Sequence, residues 1–138
     1  MNKSEILALI NANPACHLAT AEGDTPHVRG ILLYRADENG LVFHTGTTKD
    51  LHRQLSKNPR VEFCFNDYQR NIQVRVSGVV KLVEDMELKK EIVAKRDFLK
   101  PWVEKAGYEM LVIYRLRKGQ ATVWTMETNF APKTYIEL

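Results

Sequence analysis

An arginine stands inside an otherwise apolar run, Val28-Arg29-Gly30-Ile31-Leu32-Leu33. A cation withdrawn from water needs a partner. Phosphate suits it, because the guanidinium fork matches phosphate oxygens two at a time; an ion pair with a neighbouring strand, or a strand end that reaches water, serves equally well. Gly30 beside it has no side chain, so a planar molecule can lie close to the backbone. A second anion-ready feature is Gly46-Thr47-Thr48-Lys49-Asp50, which follows an apolar run and opens a segment of helical period. The first turn of a helix offers unpaired amides and the positive end of the dipole. Thr47 and Thr48 add hydroxyls and Lys49 adds charge, although the same residues also read as a threonine cap with a solvated lysine. Gln73, beside Arg75, offers both a donor and an acceptor, which suits the edge of a heterocycle or simply solvent. His44, opposite in face to Phe43, is a candidate ligand contact or proton donor to a reducible substrate, or else a structural histidine.

Other chemistries lack their residues. The histidines at 17, 27, 44 and 52 form no His-x-x-x-His pair, and no metal site is expected. No carboxylate pair has a spacing that singles out a dyad, no Gly-x-Ser-x-Gly elbow occurs, and the Gly46–Asp50 segment lacks the glycines of a Walker loop. Cys16 and Cys64 are too few and too far apart for a zinc site or a disulfide framework, and are expected as buried thiols. Trp124 and Trp102 are expected in packing roles. A net charge of +3 over 138 residues fits a phosphate-bearing ligand. It falls short of the clustered basic face of a nucleic-acid binder. No apolar run approaches a membrane span. The opening Met1-Asn2-Lys3-Ser4-Glu5 is no secretory leader, so a cytoplasmic location is expected.

Strands and turns must position these residues. The chain, 44% hydrophobic, suits a single domain over residues 1–138. Residues 2–13 read as a helix with Asn2 and Glu5 in capping-box register, ended by Pro14. Strands are expected at 15–21, 27–35, 41–45, 61–66, 72–83, 110–117 and 120–125. Asn39-Gly40 marks a hairpin, and Gly78 a bend in the long fifth strand. Helices are expected at 49–57 and at 85–106, the latter broken around Lys100-Pro101. The tail from 128 has no clear period. Short hairpins imply mostly antiparallel pairing. The fold class is therefore mainly β with peripheral helices, with a barrel of six to seven strands preferred over a sandwich.

In order along the chain, Arg29-Gly30-Ile31-Leu32-Leu33-Tyr34, Asn39-Gly40, Val42-Phe43-His44-Thr45, Gly46-Thr47-Thr48-Lys49, Asn58-Pro59-Arg60-Val61 and Gln73-Val74-Arg75-Val76-Ser77-Gly78 resemble the pyridoxamine 5′-phosphate oxidase-like family over residues 15–84. The resemblance implies a split barrel that binds FMN at a homodimer interface. It places Arg29 and Lys49, with Thr48, on the FMN phosphate, and the backbone of Gly30, Ile31, Leu32 and Leu33 along the flavin. His44 and Thr45 then flank the cofactor, and Gln73 contacts its ring. It further implies an oxidoreductase that reduces a small molecule with electrons from NAD(P)H; a flavin carrier without turnover is the alternative. The motif order argues against nucleic acid. The family oxidase has lysine where Tyr34 stands, an aromatic residue where His44 stands and Arg-Lys where Thr48-Lys49 stands. It also carries a C-terminal tryptophan and Arg-x-His motif, whereas this chain closes with Phe130-Ala131-Pro132-Lys133-Thr134-Tyr135-Ile136-Glu137-Leu138. Pyridoxamine phosphate oxidation is therefore not expected, and the short, nitroimidazole-reductase-like members are the better likeness.

Overall fold

Asn2 begins the chain's first helix, α1 (Lys3–Ala12), through the expected reciprocal cap: its side chain accepts from the Glu5 amide at 2.9 Å, and the Glu5 carboxylate accepts from the Asn2 amide at 2.8 Å. Ile6, Leu9 and Ile10 form its buried stripe. The computed structural model describes all of residues 1–138. After α1 come β1 (Ala15–Glu22), β2 (Thr25–Leu32), β3 (Arg35–Asp37), β4 (Gly40–Gly46) and α2 (Asp50–Lys57). The chain continues through β5 (Arg60–Asp67), β6 (Ile72–Val83), α3 (Met86–Lys95), a 3-10 turn (Asp97–Leu99), α4 (Lys100–Ala106), β7 (Leu111–Leu116), β8 (Gln120–Trp124) and β9 (Ile136–Glu137). All pairings are antiparallel, in the order β2-β1-β5-β6-β7-β4-β3, with β8 beside β6 and β9 beside β8. This is the expected split barrel. Seven of its strands have five residues or more.

The run expected as one strand from His27 to Arg35 is instead two strands joined by a bend. At the bend, the Leu33 amide donates to the Pro14 carbonyl and the Tyr34 amide donates to the Val42 carbonyl, each at 2.9 Å. Leu33 therefore bonds at the head of β1 and Tyr34 bonds to β4, so the bend ties the two ends of the strand order together. Periodicity does not reveal this, because every residue at the bend is as acceptable in a strand as its neighbours. The long β6 makes the second junction. Gln73–Ser77 pair with β8, whereas Val80–Val83 pair with β7, and the exchange falls at Gly78-Val79. A side chain at Gly78 would begin 3.1–3.3 Å from the Leu116 side chain, so the corner has little room for one.

Leu41, Phe43, Phe63, Phe65, Val74 and Val76 fill the barrel together with α1 and α2. A second, smaller core lies outside it, where Leu88, Ile92 and Val93 of α3 cover Val42, Leu111 and Ile113. β4 is thus buried on both faces. The helical stretch breaks at Arg96–Leu99 rather than at Lys100-Pro101, because Pro101 lies in the first turn of α4, where proline is accommodated. The tail contributes β9, and Leu138 returns to the barrel core. Cys16 is buried as expected, but Cys64 faces outward and is half-buried. No helix is long and apolar enough to cross a membrane.

In the β3–β4 hairpin only Gly40 has a left-handed φ, +115°, while Asn39 donates its amide to the Asp37 carboxylate at 2.8 Å. A side chain at 40 also collides with the Leu116 carbonyl. Gly40→Ala should therefore cost more than about 1 kcal/mol, since strain and collision both act. Urea unfolding measures it, and an unchanged midpoint would count against this account of the turn.

Candidate cofactor-binding site

β1 and β2 pair so that Arg29 stands opposite Leu18, on the barrel side of the sheet. There it meets α2, whose Leu51 and Leu55 enter the core with Gln54 between them, only 3% exposed. Arg29 Nη1 donates to the Leu18 carbonyl at 3.1 Å and to Thr20 Oγ1 at 2.9 Å, and Nη2 donates to Gln54 Oε1. Thr20 Oγ1 donates to the same Gln54 oxygen at 2.6 Å. The guanidinium is thus held by neutral acceptors and takes part in none of the chain's ion pairs. Burial lowers its pKa, with Asp50 opposing. A half-buried cation held this way retains its demand for an anion.

Gln54 lies one turn beyond Asp50, so Arg29 sits beside the first turn of α2. Lys49 is the N-cap of α2, and no side chain caps the helix, so its first amides remain open. Thr47, Thr48 and Lys49 are exposed. The Thr47 amide is used, donating to the Met110 carbonyl at 3.0 Å. Thr45, buried on the barrel side, closes the floor behind this turn. Arg29 meets α2 through Gln54 and feels the Asp50 charge, while Thr48, Lys49 and the open amides stand at the start of the same helix; these are the groups with the chemistry to make a cationic cradle for a phosphate.

His44 faces the opposite side of β4 from Phe43, as its position in the strand implies. Its Nε2 lies 2.8 Å from Arg96 Nη1. Arg96 also donates to the carbonyls of Leu32 at 2.9 Å and Leu33 at 2.6 Å, and its guanidinium covers the Tyr34 ring at 5.2 Å. The Tyr34 hydroxyl donates to Glu91 Oε2 at 2.6 Å; burial and this carboxylate push its pKa up to about 12. Burial, with Arg96 and Lys49 nearby, lowers the His44 pKa to about 4. His44 is therefore neutral at ordinary pH and accepts from Arg96, so it is no reservoir of acidic protons.

Gln73 does not join this group. Its amide donates to Asn66 Oδ1 at 3.0 Å, and both project from the face away from the barrel interior. Gly30 and Leu32 share that outer face, while Arg29 and Ile31 turn inward. Gln73 lies three strands from β2, about 15 Å at ordinary strand spacing. It lines a separate cleft of about 600 Å³ with Arg75, Trp124 and the tail. One chain therefore brings Arg29 against α2, puts Thr48 and Lys49 at the start of that helix, and sets His44 beside the Leu32–Leu33 backbone through Arg96, but leaves Gln73 elsewhere. Arg96, Gln54 and Thr20 went unnoticed in the sequence. Gln54 and Thr20 carried a signal, a polar residue within an apolar stripe (Leu51, Gln54, Leu55; Cys16, Leu18, Thr20). Arg96 carried none, lying in a stretch already rich in Lys and Arg.

The antiparallel split barrel defines the class of fold. The family profile for pyridoxamine 5′-phosphate oxidase matches residues 3–125, and the chain belongs to that family. A pyridoxine/pyridoxamine 5′-phosphate oxidase of Anaeromyxobacter dehalogenans is 39% identical over 74 residues, which are 53% of this chain and 37% of that protein. The matched stretch is thus little more than a third of that relative's length. Among solved structures, a NimC/NimA family protein of Clostridium acetobutylicum superposes with a TM-score of 0.80 at 22% identity, covering 98% of this chain and 92% of that one. A FAD-binding protein of Mesorhizobium loti gives 0.66 at 16% identity, covering 91% and 96%. At these identities the two structures speak to the fold alone.

The low His44 pKa has a consequence for stability. As pH falls, the unfolded chain takes up the proton near 6.5 and the folded chain only near 4. The contribution of neutral His44 is therefore complete above the upper value and is lost progressively across that window. His44→Asn should flatten this part of the pH profile. Urea midpoints measured between pH 7 and 4 test it, and equal slopes in the two proteins would sink it.

Proposed function

We propose that the chain is an FMN-binding oxidoreductase. The observation that carries this reading is Arg29, a half-buried cation held only by Leu18, Thr20 and Gln54 and lacking a carboxylate partner, beside Lys49 and the uncapped start of α2. These groups fit the phosphate of FMN: a guanidinium fork, an ammonium, the Thr48 hydroxyl and open amides. The Gly30–Leu33 backbone and His44 then lie along the flavin, with Thr45 behind them on the barrel side. Family membership supports the flavin, which when bound supplies the redox chemistry.

The site takes two chains in this reading. Gln73 stands on the outer face, so a second copy presents it to the ring bound by the first, and the assembly is a homodimer with two flavins. Electrons come from NAD(P)H and pass to a small molecule. The substrate is not pyridoxamine phosphate: Tyr34, where the family oxidase carries a lysine, is occupied by Glu91 and Arg96 and offers no cation to a second phosphate.

Purified protein should take up FMN with a flavin spectrum, sediment as a dimer, and oxidise NADH or NADPH when an acceptor is added. A protein that binds no FMN overturns the reading, and one that binds FMN without NAD(P)H oxidation reduces it to a carrier. Arg29→Ala and Lys49→Ala should each weaken FMN by on the order of 1.5–3 kcal/mol, the worth of a charged hydrogen bond. Titration of FMN into each apoprotein measures this. Gln73→Ala should alter the flavin spectrum more than the affinity, because it faces the ring rather than the phosphate.

A further inference from the structure

Arg96 has only hydrogens to offer, so the nitrogen it meets on His44, Nε2, must be the one without a proton. A neutral imidazole then carries its hydrogen on Nδ1. That atom has no protein partner within hydrogen-bond reach, and it is not among the sealed, unsatisfied side-chain atoms, which are His27 Nε2, Arg35 Nε and Arg115 Nε. The Nδ1–H is therefore an open donor. The Phe98 ring lies 6.5 Å from the His44 ring between centroids, tilted against it, and is 56% exposed although large and apolar. Arg96 and Lys49 add a positive field. A fixed donor, a bare aromatic edge and nearby positive charge suit a flat ring that carries a carbonyl oxygen or ring nitrogen.

We propose that Arg96 is a positioning residue that fixes His44 as the Nδ1–H tautomer, and that this N–H with Phe98 forms the subsite for the acceptor atom of a planar ligand ring. The ligand half rests on the reading of the chain as an FMN-binding oxidoreductase with His44 along the flavin; the tautomer half does not. Arg96 is anchored by the Leu32 and Leu33 carbonyls and by Tyr34, so it presents its donor from a fixed place.

Nitrogen-15 spectra of the full chain labelled at histidine test both halves. His44 should show a pyrrole-type Nδ1 and a pyridine-type Nε2; averaged or reversed shifts overturn the tautomer. Arg96→Lys, which keeps a donor, should retain the pattern. Arg96→Met, if folded by its amide spectrum, should lose it, and an unchanged pattern there overturns the role of Arg96. Should Arg96→Met fail to fold, the wild-type and Arg96→Lys patterns still decide. Nicotinamide, a flat ring with both kinds of acceptor, should move the Nδ1 signal on titration. It should bind roughly 3- to 10-fold more weakly to His44→Phe, for loss of one neutral hydrogen bond. A titration that leaves Nδ1 unmoved overturns the subsite. Failure of FMN to bind a protein that passes these tests removes the flavin reading alone, whereas FMN binding with averaged His44 shifts removes this one alone.

Discussion

The backbone at Leu32–Tyr34 must satisfy two halves of a barrel at once. The Leu33 amide reaches back to Pro14 and the Tyr34 amide forward to Val42, so two consecutive residues bond to strands at opposite ends of the sheet order. Their neighbouring carbonyls, on Leu32 at the exposed flank and on Leu33 in the part-buried wall, are met by a side chain. A carbonyl left without a partner away from water is costly. Arg96 supplies both, reaching from the end of α3 across more than sixty residues of chain. The bend that closes the barrel and the helical insert are therefore bonded to each other directly. The outer core of Leu88, Ile92 and Val93 against β4 gives the insert its adhesion, and the arginine gives it its register.

From that bend the site follows. β2 leaves it with Arg29 directed inward toward α2 and Gly30 outward, because alternate residues of a strand take opposite faces. β4, whose Val42 receives the Tyr34 amide, carries His44 to the far side of Arg96 and Thr45 to the barrel side, and then delivers the chain to the open start of α2. Arg29 and the imidazole lie on different faces of the barrel wall, and Lys49 is near enough to His44 for its charge to act there. Gln73 lies farther off, behind the β6 junction where one strand serves two partners.

Much of this was legible in the sequence. Asn2 and Glu5 announced the first helix, and Gly78 announced the corner of β6. Arg29 within an apolar run and the Thr48-Lys49 turn announced a half-buried charge and an uncapped helix start, because both are local facts. What was not legible was tertiary. The break at Leu33 leaves no mark, since residues on both sides of it favour strands. Arg96 is one basic residue among many, and only the fold brings it to two carbonyls and an imidazole. The face of Gln73 was readable from alternation, but its distance from Arg29 depends on a strand order, β2-β1-β5-β6, that no period encodes. His44 as a ligand contact or proton donor followed from residue type alone; that Arg96 bonds its Nε2 depends on the fold.

The arrangement of charge carries a further physical lesson. Arg29, Lys49 and Arg96 are cations without carboxylate partners among the chain's ion pairs, whereas Arg35, Arg53 and Arg70 each have one. Had the fold been selected for stability alone, Arg29 and Arg96 would be poor choices, since burial disfavours their charged forms and neutral acceptors compensate only in part. Arg96 has its structural duty at the bend. Arg29 ties β1 to α2 through Leu18, Thr20 and Gln54, all neutral acceptors, so its charge is held in place without being neutralised. A cation oriented by its neighbours and costly to bury is the feature on which the proposed phosphate site rests. On that proposal a bound anion would offset the cost of the unpaired charge, and affinity and fold stability would draw on the same interaction.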